Sequence, residues 1–316
     1  MAIPKVKKEE QLNLESLTWG DLTWVNIEKP TEQETEYLAQ NYSFHHLDLD
    51  DCLSRIQRSK IDEYKDYLFL VFHFPVYNKE ARVTTSSQVS VFIGAKYLIT
   101  LHKGELKPLV KLFRECQIDE ESRQENLSQG SGYLLYRIID RLVDYCLPIL
   151  NKIGENIERT EDDIFSSRGM PRAIEDVSTL RRDVISFRRI IWPMRAVIGS
   201  LEPKIRRFTQ MDLAVYFGDT VDHVDKIWDG LDEYKEIIEG LNDAHDSLAT
   251  HRTNEVMRML TIIATILLPL TVVASIYGMN IPLPFQNEGY SLIIVFVIWI
   301  AIVSGMLYFF RRQHWI

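Results

Sequence analysis

The chain has 316 residues, of which 46% are apolar and 26% charged. That balance excludes a disordered or collagen-like protein and leaves room for two domains with an appendage. With 36 basic and 45 acidic residues the net charge is −9, which argues against a generic nucleic-acid binder. Cys52, Cys116 and Cys146 are far apart and form no CxxC, so neither a zinc ribbon nor a disulfide framework is expected.

The N-terminus, MAIPKVKKEE, has no apolar core of the kind a signal peptide carries. Residues 1–103 hold short β-rich runs at Trp24–Ile27, Tyr67–Phe74, Val89–Ile93 and Tyr97–His102, with helical stretches at Glu32–Gln40 and His46–Leu53 between some of them. This predicts a small α/β domain. After Gly132 the β texture ends. Residues 133–167 and 172–200 have helical period, broken near Gly169–Pro171, and Trp192–Pro193 predicts a bend because proline lacks a backbone donor.

From Asp219 to Tyr277 the only proline is Pro269, and a continuous helix there would be about 88 Å long at 1.5 Å per residue. Its last nineteen residues, Met259–Tyr277, carry no charge, nor do the twenty-two from Gly289 to Phe310. Each segment is long enough to cross a bilayer. The linker, Gly278–Glu288, is short and has no Lys or Arg, whereas Arg252 and Arg258 precede the first span and Arg311 and Arg312 follow the second. The positive-inside rule therefore predicts both chain ends in the cytoplasm and the linker outside.

On the cytoplasmic part of the long helix, Asp222, Asp225, Asp229, Asp232, Glu236, Glu239, Asp243 and Asp246 follow a 3,4 spacing, a heptad of acids where a coiled coil would carry leucines. In a monomer this is a solvated face. Around an oligomer axis it would line a water-filled vestibule and concentrate cations. Two spans enclose no path by themselves, so a pore would need several copies.

The first span ends in Tyr277-Gly278-Met279-Asn280. This tetrapeptide, placed between two C-terminal spans with a basic C-terminus, resembles the signature of the CorA magnesium/cobalt channel family. TNEVMRMLTIIATILLPLT (253–271) resembles its pore helix and HLDLDDCL (46–53) an acidic helix of its α/β domain, while YLLYRIIDRLVD (133–144) and VYFGDTVDH (215–223) resemble its cytoplasmic helices. The resemblance implies a funnel-shaped homopentamer in the inner (cytoplasmic) membrane. Each subunit would have an α/β cytoplasmic domain (1–125), a long α-helical stalk (126–251) and two C-terminal transmembrane helices (252–316). Within that hairpin, 259–277 lines the pore, 278–290 forms the external loop and 291–310 is the outer span. It implies passive Mg²⁺ entry, with Co²⁺ and Ni²⁺ also carried. Mg²⁺ is both cargo and regulator, the partners are the lipid bilayer and further copies of the chain, and no organic cofactor, nucleic acid or enzyme chemistry is expected.

The motif suits that cargo. Mg²⁺ dehydrates reluctantly, so a filter of Gly278, Met279 and Asn280 would contact its water shell through a ring of Asn280 carboxamides. The resemblance places Asp243, Asn254, Met257, Leu260, Ala264, Leu268 and Thr271 along the pore below, with Met257 and Leu260 as an apolar constriction. It assigns a regulatory Mg²⁺ site between subunits to Asp51 with Asp219, and secondarily to Asp50 and Asp140. The loop IPLPFQNEGY departs from the family in lacking its MPEL tetrapeptide and keeps one acid, Glu288, as an attracting ring. The alternative readings are a zinc transporter of the same superfamily, proton-coupled or not, against which Met279 speaks, and a membrane-anchored hydrolase or sensor. For the last there is no P-loop, HExxH, GxSxG or GxGxxG, and His73 and His102 lie on β runs without a nucleophile motif nearby.

Overall fold

The computed structural model describes residues 12–54, 58–78, 80, 83–166, 170–209, 211–279 and 289–315, without the side chains of 170–173 and 291. Two compact units divide the chain, Met1–Asn242 and Asp243–Ile316.

The first unit is built on a six-stranded sheet of β1 (Leu14–Trp19), β2 (Leu22–Glu28), β3 (Lys60–Glu63), β4 (Tyr67–Asn78), β5 (Val83–Gly94) and β6 (Tyr97–His102), in the order β1-β2-β6-β5-β4-β3. Only β2 and β6 pair in parallel. All four predicted β runs are strands, and β4 and β5 extend well past the predicted ends to pair over their whole length from Tyr67↔Gly94 to Asn78↔Val83. β1 and β3 are additional. β1 joins β2 through Gly20-Asp21, with Gly20 at φ +56°, a left-handed turn position that glycine takes without a Cβ clash.

The central strands are buried on both faces, as a sheet between two layers requires. One face, through Val25, Ile27, Phe69, Phe92 and Ile99, packs with Leu38 of α1 (Glu32–Asn41) and Leu49 of α2 (His46–Leu53). The other carries Trp24, Leu68, Leu70, Ile93 and Leu98. There Trp24 meets Phe113 of α3 (Lys107–Ile118) edge-on at 4.9 Å. On this face His102 Nε2 is 3.0 Å from Asn26 Oδ1, and its Nδ1 accepts from the Gly104 amide. Burial pushes the His102 pKa down to about 4, so this imidazole is a neutral member of the core.

Helices α3, α4 (Glu120–Leu127), α5 (Ser131–Asp144), α6 (Cys146–Phe165) and α7 (Met170–Gly199) continue the second layer. The stretch expected as one helix over 133–167 is two, α5 and α6. Pro148 supplies no N–H to the Asp144 carbonyl and its ring crowds that carbonyl, which accounts for the break at Tyr145. Pro193 lies inside α7, which continues through it to Gly199. A short α8 (Glu202–Ile205) and a 3₁₀ turn follow.

α9 (Ala214–Tyr277) has 64 residues, about 96 Å at 1.5 Å per residue, and begins five residues before the expected start. Asp212 sets that start by accepting from the Ala214 amide at 3.0 Å. α10 (Ser291–Arg312) has 22 residues. Both helices are long and apolar enough to cross a membrane, with mean hydropathy 2.4 and 2.7 in their most apolar stretches.

Candidate ion pathway and carboxylate sites

The acidic heptad has a neighbour that sequence reading missed. Phe217, Thr220, Val224, Ile227, Leu231, Ile238, Leu241 and His245 are buried. With Tyr234, which is partly buried, they follow the same 3,4 alternation. This is the coiled-coil seam, and the acids occupy the positions flanking and opposite it. The seam packs on α5 and α6: Phe217 lies 5.8 Å from Tyr136, Gly230 meets Leu150, and Tyr234 lies over Gly154. Nor is the acid face wholly solvated. Asp225 is held by Arg195 through a forked pair, one arm at 2.9 Å, and Asp232 is paired with Arg188, both arginines being on α7. Arg188 also lies 4.4 Å from the centre of the Trp228 ring. The single acidic stripe is thus partly neutralised by α7, a helix far away in sequence.

The second unit holds the expected pore positions. Asp243, Asn254, Met257, Leu260, Ala264, Leu268 and Thr271 are all exposed on α9, Met257, Leu260 and Leu268 by 56%, 55% and 65%. The partly shielded positions of this stretch are Ile262, Ile266, Pro269, Leu270 and Val273. All but Pro269 lie two residues after Leu260, Ala264, Leu268 and Thr271, about 200° around the helix. Exposure by itself does not mark one face, since every residue from His251 to Thr261 is exposed, as are Ile263, Leu267 and Val272. The hydroxyls of this stretch are turned back on the helix: Thr261 donates to the Met257 carbonyl at 2.7 Å and Thr271 to that of Leu268 at 2.7 Å. They satisfy themselves without a second helix. α9 continues through Pro269.

At the C-terminal end of α9, the Gly278 amide donates to the Ala274 carbonyl at 2.9 Å and that of Met279 to Ile276 at 3.2 Å. A Cβ at Gly278 would stand 3.3 Å from the Ala274 carbonyl oxygen, tight against backbone that cannot yield easily. Asn280 and Glu288 lie outside the described residues.

The regulatory candidates are distributed over three helices. Asp51, on α2, is not a bare carboxylate: Lys60 Nζ is 2.6 Å from its Oδ2 and 2.6 Å from Asp62 Oδ2. Partial burial opposes the Lys60 charge, but the Asp51 and Asp62 carboxylates more than offset it and raise the lysine pKa. Asp50 is exposed beside it. Asp140, on α5, is half-buried. Burial first, then the Asp144 carboxylate, raises its pKa, and Asp219 on α9 adds to the effect. His223 approaches the same group, its Nδ1 3.3 Å from Asp144 Oδ1. The fold thus brings Asp140, Asp144, Asp219 and His223 into one electrostatic neighbourhood. Among the described residues no hydrogen bond or ion pair joins Asp51 to Asp219, and no group of three or more His, Cys, Asp or Glu side chains is arranged to hold a metal ion. Any ion at Asp51 must compete with the Lys60 ammonium.

An α/β body whose last helix runs on as one of two apolar C-terminal helices has the make-up of a membrane-anchored protein with a large extramembrane domain. Residues 19–312 match the CorA-like Mg²⁺ transporter protein family, and the chain belongs to it. It is 31% identical over 298 residues to the cobalt/magnesium transport protein CorA of Thermotoga maritima, covering 93% of this chain and 83% of that protein. The complete structure of the CorA magnesium transporter from Methanocaldococcus jannaschii superposes with a TM-score of 0.81 at 23% identity, over 99% of this chain and 95% of that one, a likeness of fold. The zinc transport protein ZntB of Yersinia pseudotuberculosis is more distant, 19% identical over 294 residues, 93% of this chain and 88% of that protein.

Proposed function

We propose that this protein is a homopentameric Mg²⁺ channel of the cytoplasmic membrane that also carries Co²⁺, with both chain ends in the cytoplasm. Residues 1–125 and 126–251 form the sheet domain and stalk of a funnel, and 252–316 the membrane hairpin, with the 278–290 loop outside. The observation that carries this reading is the match of residues 19–312 to the CorA-like Mg²⁺ transporter protein family, together with an uncharged run of α9 that ends in the Tyr277–Asn280 signature. The seven positions expected to line the pore are exposed in the single chain, which leaves them free to meet further copies. Five copies around an axis would cover them and make Met257 and Leu260 a dewetting constriction. Above it the Asn280 ring would bind hydrated Mg²⁺ by accepting from its waters, and the Glu288 ring would attract cations to the mouth. Asp243 would line the cytoplasmic end.

Inside, Mg²⁺ bridging Asp51 and Asp219 of neighbouring subunits, with Asp50 and Asp140 in support, would hold the funnel closed. The ion would neutralise carboxylate repulsion that loosens the assembly in its absence. The donor set fits a hard cation, with the condition that Lys60 be displaced from Asp51.

Purified protein in proteoliposomes should take up Mg²⁺ down its gradient, and Asn280→Ala should abolish that flux while leaving the pentameric mass in detergent unchanged. Wild-type flux in a pentameric Asn280→Ala protein would refute the filter. Uptake of Zn²⁺ driven by a proton gradient, without Mg²⁺ flux, would assign the chain to the zinc-transporting branch instead.

A further inference from the structure

Within the first unit, a cleft of about 400 Å³ opens beside α7, over β4 and β5. That volume is within the range of small-molecule sites, roughly 300–1,000 Å³. Its lining includes Arg58, Ser59, His73, Ser86, Arg189 and Trp192, and among the described residues no carboxylate. Arg58 and Ser59 directly precede β3. His73 and Ser86 stand on the paired strands β4 and β5, where Pro75 is opposite Ser86. Arg189 and Trp192 come from α7.

The position of α7 here is fixed by two buried bonds one and two turns earlier. The Thr84 amide donates to Asp183 Oδ1 at 2.5 Å, and Ser186 Oγ donates to the Thr84 carbonyl at 2.7 Å. On the sheet side the His73 amide donates to Ser59 Oγ at 3.3 Å. The walls are therefore held by the fold and do not depend on what fills the cleft.

Its electrostatics are unusual for this acidic chain. Arg188 and Arg195 on the same helix are paired with carboxylates of α9, but among the described residues Arg58 and Arg189 have no hydrogen-bond or ion-pair partner. Burial lowers the His73 pKa, so that ring presents an uncharged imidazole. Trp192 is 59% exposed beside the arginines. Two unpaired guanidinium forks suit the oxygens of a phosphate, serine hydroxyls can add donors, and an exposed indole offers a face on which a base can stack.

We propose that this cleft binds a nucleoside phosphate, with Arg58 and Arg189 on the phosphate oxygens and Trp192 against the base. The site is separate from the membrane helices, and the proposal stands or falls independently of the ion pathway.

The test is calorimetric titration of the full-length protein in detergent, in EDTA, with ADP, adenosine and inorganic phosphate. ADP should bind more tightly than either fragment. Arg58→Gln and Arg189→Gln should each weaken ADP by about tenfold or more, the loss of one charge-assisted contact. Trp192→Ala should weaken ADP and leave inorganic phosphate unaffected. All three side chains lie at the surface, and an unchanged melting temperature confirms that the variants are folded. Absence of ADP binding, or ADP binding unaltered in both arginine variants, overturns the site. Equal affinity for ADP and phosphate with no effect of Trp192→Ala overturns the nucleoside assignment.

Discussion

Single side chains in the cytoplasmic body set charges that the chain order does not reveal. Lys60 occupies the carboxylate that Mg²⁺ would need at Asp51. If the regulatory proposal holds, Lys60→Ala should lower the internal Mg²⁺ concentration that halves the current, by roughly twofold to tenfold, the range for removing a partly exposed competing pair. Asp51→Asn/Asp219→Asn should move it upward and remove Mg²⁺ protection against proteolysis. No upward movement would make these two ordinary surface acids.

Asp48 is a different case. It is 2% exposed and accepts from the Tyr64 and Tyr67 hydroxyls at 3.1 Å each, yet burial raises its pKa above 3.8 despite those bonds. The folded chain therefore holds the proton more tightly than the unfolded chain. Asp48 contributes less to stability as pH rises from below 3.8 through the raised native value. Asp48→Asn keeps an acceptor without the charge, so its melting temperature relative to wild type should rise from acid to neutral pH. Asp48→Ala leaves two tyrosine hydroxyls without this acceptor and should cost about 1–3 kcal/mol.

Among the elements, α9 carries two interleaved heptads with different work. Its apolar seam is legible once aligned, for Val224, Ile227, Leu231, Ile238 and Leu241 fall at coiled-coil spacing, but the more conspicuous acids draw the eye from it. Leu231→Ala should destabilise the cytoplasmic body by about 2–5 kcal/mol, whereas Asp229→Ala, two residues earlier on the exposed face, should change it by about 0.5 kcal/mol or less. Thermal melting in detergent compares the two, and equal losses would refute the seam. The short edge strands escaped sequence reading for physical reasons. β3, KIDE, carries three charged residues and a single isoleucine, as edge strands that resist further pairing do. β1 was foreshadowed by Gly20-Asp21, a two-residue turn between LESLTW and LTWVNIE.

For the whole molecule, the central proposal is that copies of the chain gather around the face of α9 that carries Met257, Leu260, Ala264, Leu268 and Thr271. Cysteine substitution can test it because Cys52, Cys116 and Cys146 are buried and burial raises their pKa values, which suppresses native thiol reaction. A water-soluble cationic thiol reagent should block Mg²⁺ flux through Leu260→Cys or Ala264→Cys channels. It should leave Ile266→Cys and Leu270→Cys channels conducting, because those positions lie on the shielded face. Equal sensitivity of both faces, or a stable monomer in detergent, would rule out this arrangement.

Sequence by itself determined the class of this protein. Uncharged runs at 259–277 and 289–310, basic flanks and the Tyr277–Asn280 signature suffice for the family because these are local requirements of length, charge and motif. The four β runs are legible for the same reason, since paired, buried strands need apolar side chains on both faces. Tertiary structure decided the pairings between distant residues. Lys60 on Asp51, Arg188 on Asp232, Arg195 on Asp225 and the meeting of Asp140 with Asp219 join residues brought together only when helices and strands pack. Charge in a sequence records which groups are present. The fold decides which neighbour each charge meets, and so which remain able to bind an ion or a phosphate.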